Sequence, residues 1–505
     1  MKKVLMCLLI AILSISLFAC DQIEDDLTIG ELTAGDQISI TFWHIWGKDK
    51  SAVLANMVEE FENYMLDKYG VEVTITSTSQ SNYTTLLDKT NKAIASGDKS
   101  SMPNLVVGYP DHFAGYLKSK AVVNLDLFID APIFGIDRED ILAPYLAENN
   151  QFGGRTYSLP FSKSGEIMIY NKSATDACNL EIPYNRPLTW TEMEEYWAVL
   201  KNYKENYCNF KYCACYDSTD NLFINFSRQL NAKYTESSSY REGQLLVTDT
   251  STQSMIMKFA TMVESKVLST PQNYAETASY GSDYFQQQAM AFTIGSTAGV
   301  SYNIPTATSS KVKYIFEGGV AMVPQFETGV DGNEATKSVV QQGPNIAMLN
   351  TGTAEEKLVA WLFIKYMLTM DQYSKNHKDA NEEGFVEGMN NNARFAYESH
   401  YFPVTHTAID SAFYQNFLSI AEKYYNGQEL TAKEKEDLLF SQVAYVSLLQ
   451  SDWYKYDPAF AASKTLLGSA SIREAAGSVI EKIALDTKYD PETALQEMYD
   501  ACKIG

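Results

Sequence analysis

The segment ITFWHIWG, Ile40 to Gly47, places two tryptophans beside one of five histidines in the chain. That composition offers a metal ligand, a general base or the wall of a ligand pocket. A metal site needs donors recurring at short spacing, and His44, His112, His377, His400 and His406 show no such spacing. The cluster CNFKYCAC, with Cys208, Cys213 and Cys215, lacks a second paired-cysteine motif or a neighbouring histidine. It reads as plain thiols or a local disulfide rather than as a zinc site. Neither HExxH nor a P-loop occurs. GSTAG, Gly295 to Gly299, does not have the G-x-S-x-G order of a nucleophile elbow. With 63 acidic residues a carboxylate pair somewhere is guaranteed, so glycoside hydrolysis gains no support from one. The chain reads as a non-enzyme without cofactor or metal, and an anchored glycoside-processing enzyme is the rival that lacks a motif.

The elements around these residues decide which can meet. QISITFWHI alternates and is β-branched and aromatic, the pattern of a strand. In the following segment Val53, Leu54, Met57, Val58, Phe61 and Met65 share one helical face, and Gly70 supplies a stop. VEVTITST is a second strand, YTTLLDKTNKAIASG a second helix, and MPNLVVGY a third strand. Strands alternating with helices imply an α/β fold with parallel pairing through right-handed crossovers. Ligands of such sheets lie at the carboxyl ends of the strands, which puts HIWG, SQSNY and GYPDHF on one rim. Trp43 and His44 are expected there as ligand neighbours, through stacking and one hydrogen bond. Farther on, capping boxes are expected at Thr189 with Glu192, Thr353 with Glu356 and Ser471 with Glu474, and Asp490 with Pro491 opens a last helix. The third box puts Arg473 in a first helical turn, where a cation opposes the helix dipole and points to an anionic or polyhydroxyl ligand.

Bulk properties set the setting. The 505 residues suffice for one large bilobed protein or several domains, and Tyr and Phe are abundant at 33 and 24. A formal charge of −23 repels nucleic acid and anionic lipid. Residues 1–19 read as a signal peptide: Lys2 and Lys3, an apolar run from Val4 to Phe18, then the lipobox-like LFAC. Cys20 would be acylated, and 20–37 would be an acidic tether holding the protein at the membrane without spanning it. Once Cys7 and Cys20 are set aside, five cysteines remain, so at least one thiol is left over outside the cell.

The order of segments resembles the extracellular solute-binding proteins of ABC importers, in the group that takes up sugars and related polyols. ITFWHIWG with its helix, GGRTYSLPFSKSGEIMIYNK (Gly153 to Lys172), TWTEMEEY, QQQAMAFTIGSTAGV, GGVAMVPQ, QQGPNIAML, YFPVTHTA and the SIREA helix carry it, over essentially all of residues 38–500. The resemblance implies a two-lobed periplasmic-binding-protein-like fold with a hinge and an interlobe ligand cleft. It puts the crossings near 155–164 and 312–325. The lobes would then be 38–157 plus 322–372, and 158–321 plus 373–505.

Within that family several positions are similar to those of a glycerol-3-phosphate or glycerophosphodiester binder. Tyr83, Ser164, Ser296, Gly343, Tyr401 and Arg473 match its ligand contacts. Two departures stand out: Pro110 replaces an acidic residue, with Asp111 adjoining it, and CYDSTDNLF replaces a tryptophan-rich loop. Asp111 and Asp220 could accept sugar hydroxyls, with Trp43, Tyr109 or Tyr284 stacking on a ring. The resemblance therefore implies a monomeric, lipid-anchored subunit on the extracellular face of a bacterial cell membrane. It would capture a mono- or oligosaccharide, or alternatively a polyol phosphate, for ABC permease subunits.

Overall fold

The computed structural model describes residues 27–278, 280–306 and 312–504. The expected signal peptide and Cys20 lie outside the described residues. Among the described residues no helix is long and apolar enough to cross a membrane. The chain is not free tether up to residue 37, because Leu27, Ile29 and Leu32 pack against the core. Gly30 lies so close to Ala354 that an added Cβ would stand 2.5 Å from its backbone.

Two sheets organise the molecule. The first has five strands in the order 72–79, 37–44, 105–108, 345–348 and 159–160. Its first three pair in parallel, as the strand–helix alternation requires, and 345–348 runs antiparallel to 105–108. In Gln37–His44 alternate residues Ile38, Ile40, Phe42 and His44 face the core. Helix Lys48–Tyr69 buries Leu54, Met57, Val58, Phe61 and Met65 and ends on Gly70 at φ 69°, the left-handed C-cap that glycine permits. The second sheet has the order 454–455, 339–342, 164–171, 290–296, 212–216 and 268–269, with 318–321 also paired to 164–171. All eight residues of Ser164–Asn171 are buried, as expected of a strand covered on both faces.

The chain leaves the first sheet at Pro160 and enters the second at Ser164. The second crossing differs from the 312–325 expected. Gly318–Ala321 stays in the second sheet, antiparallel to Ser164–Asn171, and the chain returns only between Gln342 and Asn345, at Gly343 and Pro344. Both segments are short apolar strands, and periodicity does not say which sheet a buried strand joins. The block 373–505 does not belong wholly to the second lobe either. Hairpin strand Asp371–Tyr373 packs on helix Lys48–Tyr69, and helix Asn391–Ser399 packs there and on Ala354–Thr369, all on the first sheet's side. Helix Ala432–Leu449 covers the second sheet, and Ser469–Leu485 packs along Thr219–Gln229.

Of the expected capping boxes, Thr189 with Glu192 forms fully. Thr353 caps Glu356, whose own carboxylate instead accepts from Asn104 at 3.3 Å. Asp490 caps its helix by accepting from Thr493 N at 2.9 Å. Ser471 with Glu474 does not cap, since that helix begins at Ser469 with Gly468 as its cap, three residues before the expected one, and carries Arg473 past its first turn. Cys178, Cys208, Cys213, Cys215 and Cys502 are all free thiols.

Candidate ligand cleft

A cleft of about 1210 Å³ opens between the carboxyl ends of the first sheet's strands and the loops of the second. Helix starts supply most of its chemistry. Tyr83 is the first residue of a helix capped by Asn82, which accepts from Thr85 N at 2.8 Å. Asp111 lies in the first turn of Pro110–Lys118, and Asp220 in the first turn of Thr219–Gln229, capped by Ser218. Ser296 ends strand Met290–Ser296 and caps the turn Thr297–Tyr302. Tyr83, Asp111, Asp220, Ser296 and Arg473 all line the cleft, as does Tyr109. The rings of Tyr83 and Tyr109 are 4.7 Å apart.

The other expected contacts lie elsewhere. His44 is 1% exposed, stacks on Trp46 at 5.1 Å and accepts the Trp46 backbone N–H on Nδ1. Burial lowers its pKa to about 4, so it is a neutral packing residue rather than a rim group. Trp43 is half-buried against the core. Tyr401 is buried and carries the Lys50 ammonium 4.8 Å from its ring centre, and Tyr284 stacks on Tyr274 at 5.0 Å. None of these four is among the lining residues. The physical reason is that the cleft wall on the first-lobe side is built by the loops after strands two and three, while the end of strand one turns into aromatic packing. Ser164 and Gly343 lie one step behind the wall. Ser164 is buried opposite the lining residue Gln342, and Gly343 N donates to Tyr109 Oη at 3.4 Å.

Arg473 is the hub of the charged network. Its Nε lies 2.6 Å from Asp220 Oδ2, its Nη2 donates to Asn221 Oδ1, and its guanidinium carbon stands 5.9 Å from the Tyr109 ring centre across the cleft. Burial alone would lower its pKa, but Asp220, Tyr109 and Asp457 outweigh burial and hold it above the ordinary value. Burial would likewise raise Asp220, yet Arg473 and Ser218 keep it below the carboxylate range. Asp217 is pushed up to about 6 by burial, partly offset by the Gly281 N–H 2.6 Å away. Behind the wall Glu166 is wholly buried and raised to about 8 by desolvation, although Tyr216 and Asn225 donate to it.

The CYDSTDNLF loop does reach the cleft, through Asp217, Ser218, Thr219, Asp220 and Asn221, with carboxylates and hydroxyls where an aromatic loop would have stood. Sequence reasoning missed Tyr280 and Tyr302, which line the cleft at 71% and 68% exposure. An aromatic isolated in a polar loop was the available signal. Among the described residues no cluster of His, Cys, Asp and Glu is placed to hold a metal ion.

Known structures share this architecture. The cyclic α-maltosyl-1,6-maltose binding protein of Arthrobacter globiformis is 16% identical, with TM-score 0.61 and 92% of this chain and 98% of that chain covered. UgpB from Mycobacterium tuberculosis, solved in complex with glycerophosphocholine, is 18% identical, with TM-score 0.64 and coverage of 92% and 97%. An ABC substrate-binding protein from Listeria monocytogenes, in complex with cycloalternan, is 15% identical, with TM-score 0.61 and coverage of 92% and 98%. Comparison with curated protein sequences gives no match. The bacterial extracellular solute-binding protein profile matches residues 56–403, most of the chain, and the chain belongs to that family.

Proposed function

We propose that the chain is the lipid-anchored, monomeric ligand-capturing subunit of an ABC importer, and that a mono- or oligosaccharide is the ligand held between its lobes. The observation that carries the saccharide reading is the pair of exposed tyrosines, Tyr280 and Tyr302, on a cleft wall rich in carboxylates, hydroxyls and amides. Aromatic faces take the apolar face of a sugar ring, and the polar groups fix its hydroxyls. A volume of about 1210 Å³ has room for more than one ring. The Arthrobacter and Listeria relatives, named for oligosaccharide ligands, agree with this choice. A glycerophosphodiester is the second reading, favoured by the presence of Tyr83, Ser296 and Arg473 together in the cleft and by the UgpB relative. Capture would proceed by hinge closure driven by the ligand's higher affinity for the closed form.

Thermal unfolding of the mature chain, from Cys20 onward, tests the reading. A ligand that binds only the native state raises Tm, so members of a saccharide panel should shift it while glycerophosphodiesters leave it unchanged. A shift with glycerophosphocholine alone would select the second reading.

A further inference from the structure

We propose that the cleft selects a saccharide bearing a positive charge, an amine-substituted sugar, over neutral and anionic ligands of similar size. This rests on the saccharide reading and adds a charge to it. Seven carboxylates are found among the described residues that line the cleft, Asp111, Asp217, Asp220 and Glu474 among them, against one cation, Arg473. That cation is already engaged. Its Nε is 2.6 Å from Asp220 Oδ2 and its Nη2 donates to Asn221, so an incoming phosphate would have to displace a part-buried carboxylate from it. The displaced Asp220 would then face the phosphate inside a cleft of the same sign, an arrangement that rejects anions. Helix N-termini each bring about half a positive charge, but those of Pro110–Lys118 and Thr219–Gln229 already hold Asp111 and Asp220 in their first turns. The described lining therefore stays several charges negative.

A second observation points the same way. Asn303 lines the cleft at 5% exposure, and among the described residues its Oδ1 accepts no hydrogen bond. Gln272 Oε1, also on a lining residue, is likewise buried without a donor among the described residues. Buried acceptors lacking donors are costly, and an ammonium brings three donors and no acceptor. The open faces of Tyr280 and Tyr302 also attract a cation as well as a sugar ring.

Calorimetric titration of the mature chain tests this with three probes: the free-amine disaccharide of glucosamine, its neutral N-acetylated counterpart, and glycerol 3-phosphate. The amine disaccharide should bind about tenfold tighter than the acetylated one, roughly 1.4 kcal/mol, at about 20 mM salt. The advantage should shrink several-fold at about 500 mM, where charges are screened over roughly 4 Å. Glycerol 3-phosphate should not compete. Replacing Asp111→Asn together with Glu474→Gln should erode the amine preference, weakening the amine probe several-fold more than the acetylated one. Equal or tighter binding of the acetylated probe, tighter binding of glycerol 3-phosphate, or no binding of the amine probe would each overturn the proposal. Neutral saccharide binding without amine preference would leave the saccharide reading standing, whereas failure of the whole saccharide panel would remove both.

Discussion

Lys163 Nζ lies 2.6 Å from Glu148 Oε2, with the lysine side chain wholly buried and the glutamate nearly so. The same ammonium donates to the Gly343 carbonyl at 2.8 Å. Lys163 belongs to the first crossing and Gly343 to the second, so one side chain ties both crossings to helix Ala143–Asn149 of the first lobe. Phe161 N and Ser162 N add hydrogen bonds to the Pro344 carbonyl at 3.2 Å. A hinge needs its pivot residues held while the lobes move, and this network holds them.

Breaking that pair should therefore be costly. Lys163→Met leaves Glu148 buried without its partner, and such losses run to about 3–5 kcal/mol. Chemical denaturation should show this fall, and Lys163→Met combined with Glu148→Leu should recover most of it. Gly343→Ala should also destabilise, by about 2 kcal/mol or more: φ is 84° and the new Cβ would stand 2.3 Å from Ser162 O. Equal stability of the single and double charge variants would refute a paired role for Lys163.

Glu166 gives the protein a pH dependence of a definite sign. Its folded pKa of about 8 lies above the ordinary value of 4.5, so between these the native state binds the proton that the unfolded chain releases. Its contribution is full below about 4.5 and is lost as pH rises through about 8. Tm of the wild type should fall relative to Glu166→Gln between pH 5 and 8, with the curves parallel above about pH 9. Coincident slopes for the two proteins across that window would remove the assignment.

Much of the first lobe was legible because its signals are local: alternation in Gln37–His44, a helical apolar face, and Gly70 as the stop. Sheet membership was not, since Gly318–Ala321 and Asn345–Met348 are both short strands and only long-range pairing assigns the former to the second sheet and the latter to the first. The site divides in the same way. Tyr83, Asp111, Asp220, Ser296 and Arg473 sit at helix starts or in recognisable motifs, and all reach the cleft. Trp43 and His44 were expected on the rim because strand one points there, but whether its end is open depends on Trp46, Phe161 and Phe395 packing around it. Tyr280 and Tyr302 offer only the weak signal of an aromatic isolated in a polar loop; their position on the cleft wall follows from the fold of the second lobe.

The relocation of His44 can be measured. With a folded pKa of about 4, below its ordinary 6.5, the imidazole contributes stability above about pH 6.5, lost as pH falls towards 4. Asn in its place can still accept from Trp46 N, as Nδ1 does at 3.2 Å, but does not titrate. The wild type should lose stability relative to His44→Asn between pH 6.5 and 4, with ligand affinity the same in both. A drop in affinity at neutral pH with unchanged stability would return His44 to the cleft.

The cleft tyrosines make the opposite prediction, affinity without stability. Tyr280 and Tyr302 are 71% and 68% exposed, so truncation to Ala removes little buried surface and should move Tm by about a degree or less, in line with other exposed substitutions of about 0.5 kcal/mol. Each ring that stacks on the bound saccharide should contribute about 0.5–1.5 kcal/mol, a loss of roughly threefold to tenfold in affinity per ring. The double variant should lose close to the sum if the rings grip different sugar units, and less if they share one. Tyr284→Ala serves as the internal contrast: its ring stacks on Tyr274 at 5.0 Å, away from the cleft lining. It should lower Tm and leave affinity alone. Titration of the same saccharide against the two single variants, the double variant and Tyr284→Ala separates these outcomes, and full affinity in the Tyr280/Tyr302 double variant would overturn the stacking role.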